Sequence, residues 1–157
     1  MLAVCCALLW ILSLLLPVAG KVGATEAVTD WLYGLDILLT GIFAYSAGQF
    51  GWWANFLIWF AIVGLLRAAP PALPRARVIG GLLLLLFVNS LFWTVMPEWN
   101  SADGWQPIGV FGEGYYLWMA AVFLAAAGVL ARAFLADRRS NRAADPAEEP
   151  SREEGEG

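Results

Sequence analysis

The sequence predicts an all-α integral membrane protein: an antiparallel bundle of four transmembrane helices with a short amphipathic helix at the outer interface. Three observations lead to this fold class. Apolar residues make up 61% of the 157 residues and are concentrated in four long stretches. Arginines flank one side of these stretches, and carboxylates gather on the other. Finally, one apolar run is too long for a single crossing, and its first half is amphipathic.

Charges around the apolar stretches predict the orientation. Arg67, Arg75 and Arg77 separate the second and third stretches without any acidic residue, and four more arginines follow at residues 132–142. The opposite side, residues 21–46 and 98–114, contains six carboxylates and the single Lys21. Because positive loops stay in the cytoplasm, this bias predicts a multi-pass protein with both termini inside, provided that the first helix is retained.

Residues 1–20 form the first predicted transmembrane helix, since a crossing of the ~30 Å hydrocarbon layer needs about 20 apolar residues. A cleaved signal peptide is the alternative, because Val18-Ala19-Gly20 has the small residues of a cleavage site. The first ten residues contain no Lys or Arg, and the apolar run is long for a signal peptide, which favours retention. Both alternatives place the residues after Gly20 outside.

Residues 31–66 are nearly all apolar and would form one helix of about 54 Å, which is too long for one crossing. A helical wheel of residues 29–42 separates polar from large apolar side chains. We therefore expect an outer segment over 21–46 with an interfacial amphipathic helix, and a second transmembrane helix over 47–66. A fifth crossing over 31–50 is the alternative, and it conflicts with the charge bias because it changes the parity of the spans.

The remaining boundaries follow from prolines and from composition. Residues 67–77 form an inner loop in which three prolines oppose a continuing helix. The third and fourth transmembrane helices are predicted over 78–97 and 115–135, separated by an outer loop over 98–114. Residues 136–157 are rich in Arg, Ala, Asp, Glu and Pro, and we expect a disordered cytoplasmic tail there.

Composition excludes several kinds of chemistry. Histidine is absent, which removes the usual haem ligand, the commonest zinc ligand and the commonest general base. The two cysteines, Cys5 and Cys6, are adjacent, so neither a disulfide framework nor a spaced redox pair is available. We expect no catalytic residue, no metal, no cofactor and no nucleic-acid partner.

Polar residues within apolar segments are the first candidates for function, because an unpaired polar group in hydrocarbon is costly. Asn89 lies deep in the third span, where it fits either a substrate contact or a hydrogen bond that fixes helix register. Asp36 is the one carboxylate within an apolar helical segment. Its two interpretations are a proton relay and the wet side of an interfacial helix.

The second span presents a partly polar, aromatic face. Gln49, Trp52, Asn55, Phe56 and Trp59 fall within one sector of a helical wheel. Such a face fits a site for a lipid, a quinone or another flat ligand, and it equally fits an interfacial aromatic belt.

Two further patterns occur, one in the outer loop and one on the fourth span. The outer loop contains the acids Glu98, Asp103 and Glu113, which could in principle perform acid–base catalysis or bind a cation. Their spacing does not match that of cation ligands, so we expect them to be ordinary solvated charges. On the fourth span, Ala121, Ala125 and Gly128 form a stripe of small residues, which predicts close helix packing within the bundle or between two copies.

The strings at residues 48–55 (GQFGWWAN) and 112–118 (GEGYYLW) resemble elements of small uncharacterised bacterial polytopic inner-membrane proteins. The resemblance covers about the middle two-thirds of the chain. It implies a bacterial cytoplasmic (inner) membrane setting and no activity.

Three functions remain open on the sequence. The first is a non-enzymatic accessory or interaction protein in the bilayer, whose partners are the lipid bilayer and either another membrane protein or a second copy of the chain. The second is a small transporter or channel component that uses Gln49 and Asn89. The third is a membrane enzyme acting on a lipid or quinone at the outer face through the outer-loop acids.

Overall fold

The structure is a computed structural model that describes residues 1–22, 28–67, 69, 72–97 and 105–144. The described chain is mostly helical, as predicted, and also contains short strands. In chain order its elements are α1 (Leu2–Leu15), β1 (Pro17–Val22), β2 (Val28–Tyr33), α2 (Gly34–Thr40), two 3-10 segments (Gly41–Ala47 and Gly51–Trp53), α3 (Ala54–Leu66), α4 (Leu73–Leu91), β3 (Val95–Pro97), β4 (Trp105–Pro107), β5 (Val110–Phe111) and α5 (Glu113–Ala144).

Helix α5 is the centre of a bundle and packs against α1, α3 and α4. Leu2 at the start of α1 lies against Gly128 of α5, so these two helices run antiparallel. Gly80 of α4 faces Leu130 of α5, and Tyr115 of α5 bonds to Ser90 of α4, so that pair is antiparallel as well. Helix α3 runs parallel to α5, because Asn55 bonds to Trp118 and Leu65 bonds to Arg132, and it is therefore antiparallel to α1 and α4.

The alternating directions give the bundle two different ends. The arginine end holds Arg67, Arg75 and Arg132, where α3 finishes, α4 begins and α5 passes. The sheet end holds the five strands and α2, which connect the opposite ends of the same helices. The core between the two ends is formed by Ile58, Leu83, Val122 and Val129, all essentially buried.

Within the described residues, two helices are long and apolar enough to cross a membrane: α4 and residues 113–142 of α5. The two other bundle helices are shorter than the predicted spans, with 14 residues in α1 and 13 in α3. Pro17 lacks an amide hydrogen and begins a strand, so α1 ends at Leu15 and not near Ala19. The residues before α3 form a bend and a 3-10 turn in place of the predicted helix from residue 47.

The strands correct the prediction of an all-α fold. β1 pairs antiparallel with β2 and with β5, and β3 pairs antiparallel with β4. Gly20 sits opposite both Trp31 and Val110, and a side chain there would come within 2.8 Å of Val110. The sequence concealed this sheet because residues 17–20 continue an apolar run and one of their strand partners lies far along the chain.

The predicted amphipathic helix is also shorter than expected. Its first residues belong to β2, and α2 begins at Gly34. The side chain of Asp36 accepts a hydrogen bond from the Tyr33 amide over 3.0 Å, which satisfies a free amide at the helix start. Gly34 lies against the backbone of α1, where an added Cβ would be 2.1 Å from the Ser13 carbonyl oxygen. Packing on α1 therefore sets where α2 begins.

The boundary expected at residue 135 differs from the structure, because α5 continues to Ala144. Alanine and arginine both favour the helix, and the Arg138 guanidinium lies 4.4 Å from the ring centre of Phe134. The rest of the predicted disordered tail, residues 145–157, lies outside the described residues.

The small stripe on α5 packs inside the bundle. Ala121 and Ala125 are fully buried, and Gly128 lies against Leu2 of α1 and Leu65 of α3. Small residues on the central helix let its neighbours approach closely, which is the packing interpretation of this stripe.

Candidate functional site

Asn55 is the centre of a polar cluster near the sheet end. Its side-chain oxygen accepts hydrogen bonds from the indole N–H groups of Trp10 on α1 and Trp118 on α5, each over 2.9 Å. Its amide nitrogen donates to the Trp52 carbonyl over 3.0 Å. Asn55 is only 7% exposed, so one buried amide joins three helices.

Trp52 extends the cluster toward α2. Its indole N–H donates to the Leu38 carbonyl over 2.9 Å, which ties α2 to the start of α3. Gly41 leaves room for the indole ring, because an added Cβ would lie 2.3 Å from the Trp52 Cδ1 atom. Trp52 therefore has a positioning contact that its place on a helical wheel does not reveal.

Asn89 stabilises the bend before α3. Its side-chain oxygen accepts hydrogen bonds from the Phe50 and Gly51 amides over 2.7 and 3.1 Å, and its nitrogen donates to the Gly48 carbonyl over 3.2 Å. Gly48 has a φ of 72°, a conformation that glycine adopts readily. The hydrogen-bonding capacity of Asn89 is thus largely used by the backbone, which favours its structural interpretation.

Two other polar side chains join α4 to its neighbours at the same level. Gln49 donates from its side-chain nitrogen to the Phe92 carbonyl over 3.2 Å, and the Tyr115 hydroxyl donates to the Ser90 carbonyl over 2.8 Å. Within the described part of the chain, no buried side-chain nitrogen or oxygen lacks a hydrogen-bond partner.

A cavity of about 70 Å³ lies within this cluster. Its lining includes Ser13, Gln49, Asn55, Ser90, Tyr115 and Trp118. This volume holds a few water molecules and is much smaller than the roughly 300–1,000 Å³ of typical ligand pockets.

The remaining predicted residues lie apart from this cavity. Asp36 is exposed on α2 and serves as a cap. Phe56 and Trp59 point outward from α3, where Phe56 packs edge-on against Trp52 and Trp59 packs edge-on against Trp10. The predicted aromatic face therefore divides: Trp52 turns into the cluster, and the other two rings form an outer surface.

The outer-loop acids are not brought together with the cluster by the described structure. Glu113 is exposed in the first turn of α5, and Glu98 and Asp103 lie outside the described residues. Among the residues that the structure describes, no group of three or more His, Cys, Asp or Glu side chains is placed to hold a metal ion.

Sequence reasoning missed Trp10, Trp118 and Tyr115 as members of the site. Trp10 lies on α1, and Trp118 and Tyr115 lie on α5, whereas Asn55 lies on α3. No local sequence spacing therefore connects them with Asn55. One sequence feature could have indicated them: a buried indole N–H needs a hydrogen-bond acceptor, and the side-chain amide of Asn55, within an apolar helix, provides one.

A second, larger cavity of about 530 Å³ opens at the arginine end, between α3, α4 and α5. Arg67 and Arg75 line it together with the apolar Phe60, Val63, Ile79 and Val129. Arg132 lies beside it and donates to the Leu65 carbonyl over 2.6 Å and to the Gly64 carbonyl over 3.2 Å.

Comparison with protein-family models, with curated proteins and with solved structures finds no match for this chain.

Proposed function

We propose that this chain is a multi-pass protein of the bacterial inner membrane that acts as a non-enzymatic accessory or interaction protein within the bilayer. Support for the membrane comes from large apolar side chains exposed on every helix of the bundle. They include Leu8 and Ile11 on α1, Phe60 and Val63 on α3, Leu85 and Val88 on α4, and Phe123 and Phe134 on α5. Such a surface is suited to lipid and poorly suited to water.

Burial supports the same proposal. In the 18-residue apolar stretch of α4 only 28% is buried inside the protein, and in that of α5 only 39%. The core helix of a soluble protein is mostly buried. Helix α1 spans about 21 Å, shorter than the hydrocarbon layer, and local thinning of the bilayer accommodates such a mismatch at modest cost. All four bundle helices then cross, with α2 and the sheet at the outer interface.

The charges support one orientation. Arg67 and Arg75 meet Arg132 at one end of the bundle, although Arg132 lies more than 50 residues further along the chain. Asp36 and Glu113 lie at the sheet end. The arginine end faces the cytoplasm by the positive-inside rule, and both termini are cytoplasmic.

The non-enzymatic proposal rests on one observation: the interior polar side chains form hydrogen bonds to other groups of the protein itself. Asn55, Asn89, Gln49 and Tyr115 all make hydrogen bonds within the protein, which leaves a small cavity beside them. A catalytic site needs polar groups available to a substrate, and a transport path needs a polar lining. Between the two cavities, Ile58, Val122 and Ala125 are fully buried, which argues against a continuous passage.

The aromatic surface of α3 is the proposed contact for a membrane partner, since the small residues of α5 are already used within the bundle. Aromatic side chains are enriched at interaction surfaces, and Phe56 and Trp59 are exposed here. Helix α4 offers a matched comparison, because its large exposed apolar side chains, among them Leu85 and Val88, are aliphatic.

Photo-crosslinking in native membranes tests this proposal. A p-benzoylphenylalanine at Phe56, which is 49% exposed, should give a discrete protein adduct, whereas one at Val88, which is 47% exposed, should react with lipid alone. Protein adducts at neither position would remove the interaction role on this face. Equal adducts at both positions would indicate random collisions in the bilayer.

A further inference from the structure

The cavity at the arginine end combines a basic rim with an apolar interior. Arg67 directly follows the last residue of α3, Arg75 lies in the first turn of α4, and both are exposed. Phe60, Val63, Ile79 and Val129 form walls that reach toward the middle of the bundle. We call this the basic cleft, defined by these two arginines and four apolar residues.

The basic cleft has no acidic counterpart in the described structure. None of the residues that line it is Asp or Glu, and no hydrogen bond or ion pair within the described part of the chain uses the guanidinium of Arg67 or Arg75. Asp137 is the described acid on the same half of α5, and it does not line the cleft.

Arg132 makes the cleft more favourable for an anion. The final carbonyls of α3 have no partner within the helix and carry the negative end of its dipole. The Arg132 guanidinium donates to the carbonyls of Gly64, Leu65 and Arg67, which satisfies these acceptors. A guest anion therefore meets arginine side chains and few uncovered carbonyls.

We propose that the basic cleft binds an anionic phospholipid of the cytoplasmic leaflet, with the phosphate between Arg67 and Arg75 and an acyl chain along Phe60 and Ile79. The inference rests on the proposed membrane location and orientation. Guanidinium groups pair well with phosphate oxygens, and basic pockets between transmembrane helices bind such headgroups. About 530 Å³ is within the usual size range of ligand sites.

The charge of the cleft favours an anionic lipid over a zwitterionic one. The ammonium of a choline or ethanolamine headgroup would lie near two arginines without an acidic side chain to receive it. A glycerol headgroup brings no positive charge. The apolar walls separate a lipid from a free phosphate, because inorganic phosphate leaves them uncovered.

Lipid binding by the purified full-length chain tests this inference. The probe is dioleoylphosphatidylglycerol titrated into delipidated protein in neutral detergent, with binding measured by native mass spectrometry. We expect about tenfold tighter binding than for dioleoylphosphatidylcholine, and no competition from inorganic phosphate at matched concentration. Equal affinity for the two lipids would overturn the inference, and competition by inorganic phosphate would indicate a soluble-anion site.

Arginine substitutions locate the effect. Arg67→Gln with Arg75→Gln should weaken phosphatidylglycerol binding about 25-fold, since each arginine near a headgroup contributes about fivefold. Arg138→Gln with Arg139→Gln removes the same charge from the exposed end of α5 and should change binding less than twofold. Unchanged binding in the first pair, or equal losses in both, would overturn the assignment.

Two further measurements distinguish loss of the lipid site from misfolding and from failure of the proposed membrane location. If the glutamine pair fails to fold, Arg67→Lys with Arg75→Lys retains the charge and should still prefer phosphatidylglycerol, though more weakly than the wild type. Carbonate extraction of membranes reports the membrane location alone. A chain that resists extraction but shows no lipid preference refutes the lipid site and leaves the proposed function standing.

Discussion

Trp10 on the first helix of the bundle and Trp118 on the last donate hydrogen bonds to the same atom, the side-chain oxygen of Asn55, over 2.9 Å each. Both indole rings therefore depend on one buried acceptor. The three side chains join α1, α3 and α5 near the sheet end, where the chain changes from helices to strands.

Substitution of the shared acceptor should destabilise the bundle. Asn55→Leu keeps a similar volume and leaves both indole N–H groups without their partner, so we expect a loss of about 1–3 kcal/mol in the free energy of unfolding. Unfolding by sodium dodecyl sulfate in mixed micelles, followed by tryptophan fluorescence, measures it. Asn141→Leu, at an exposed position on α5, should change stability by less than about 0.5 kcal/mol. Equal effects of the two substitutions would contradict the shared-acceptor role.

The structural role of Asn89 predicts different effects for two substitutions. Asn89→Leu removes the acceptor for the Phe50 and Gly51 amides, and we expect their hydrogen exchange to become at least about tenfold faster as the bend loosens. Asn89→Asp keeps an oxygen at this position and should retain most of the protection. Unchanged exchange in the leucine variant would show that the bend is held by other contacts.

Two glycines in the chain should respond oppositely to alanine. Gly34→Ala places a methyl group against backbone atoms of Ser13 and Leu14, which cannot move aside, and should cost about 2 kcal/mol or more. Gly81→Ala on α4 meets nothing within 4 Å and should stabilise the helix by up to about 1 kcal/mol. Thermal unfolding in detergent measures both. Similar stabilities would mean that α2 does not pack closely on α1.

The proposed orientation is tested by single cysteines in a background in which Cys5 and Cys6 are alanine. Ser46→Cys in the outer segment should react with a membrane-impermeant maleimide in spheroplasts, and Ser140→Cys on α5 should react only after lysis. Both serines are exposed and both substitutions are conservative, so access to the reagent decides the result. The reverse labelling pattern would invert the orientation.

The sequence predicted part of the site and missed the rest for a geometric reason. A helical wheel selected Trp52 and Asn55 together because both lie on one stretch of chain, and both belong to the observed cluster. The same wheel included Phe56 and Trp59, which point outward. The wheel compares positions within one helix and carries no information on which neighbouring helix approaches. Trp10 and Trp118 therefore became visible only when α1 and α5 were placed beside α3.

The sequence by itself determined the mostly helical character and the distribution of charge, because apolar run length and arginine position are local properties. The tertiary structure decided the sheet, the starts and ends of α1 and α2, and the basic cleft. Pro17, Gly20 and Gly34 look like ordinary interruptions of an apolar run. In the structure Pro17 pairs with Tyr33, Gly20 lies between Trp31 and Val110, and Gly34 packs on the backbone of α1. Pairing of β1 with β2 and with the distant β5 selects strand over helix at residues 17–22, and packing on α1 sets the start of α2 at Gly34. Only the folded arrangement specifies which of these segments meet.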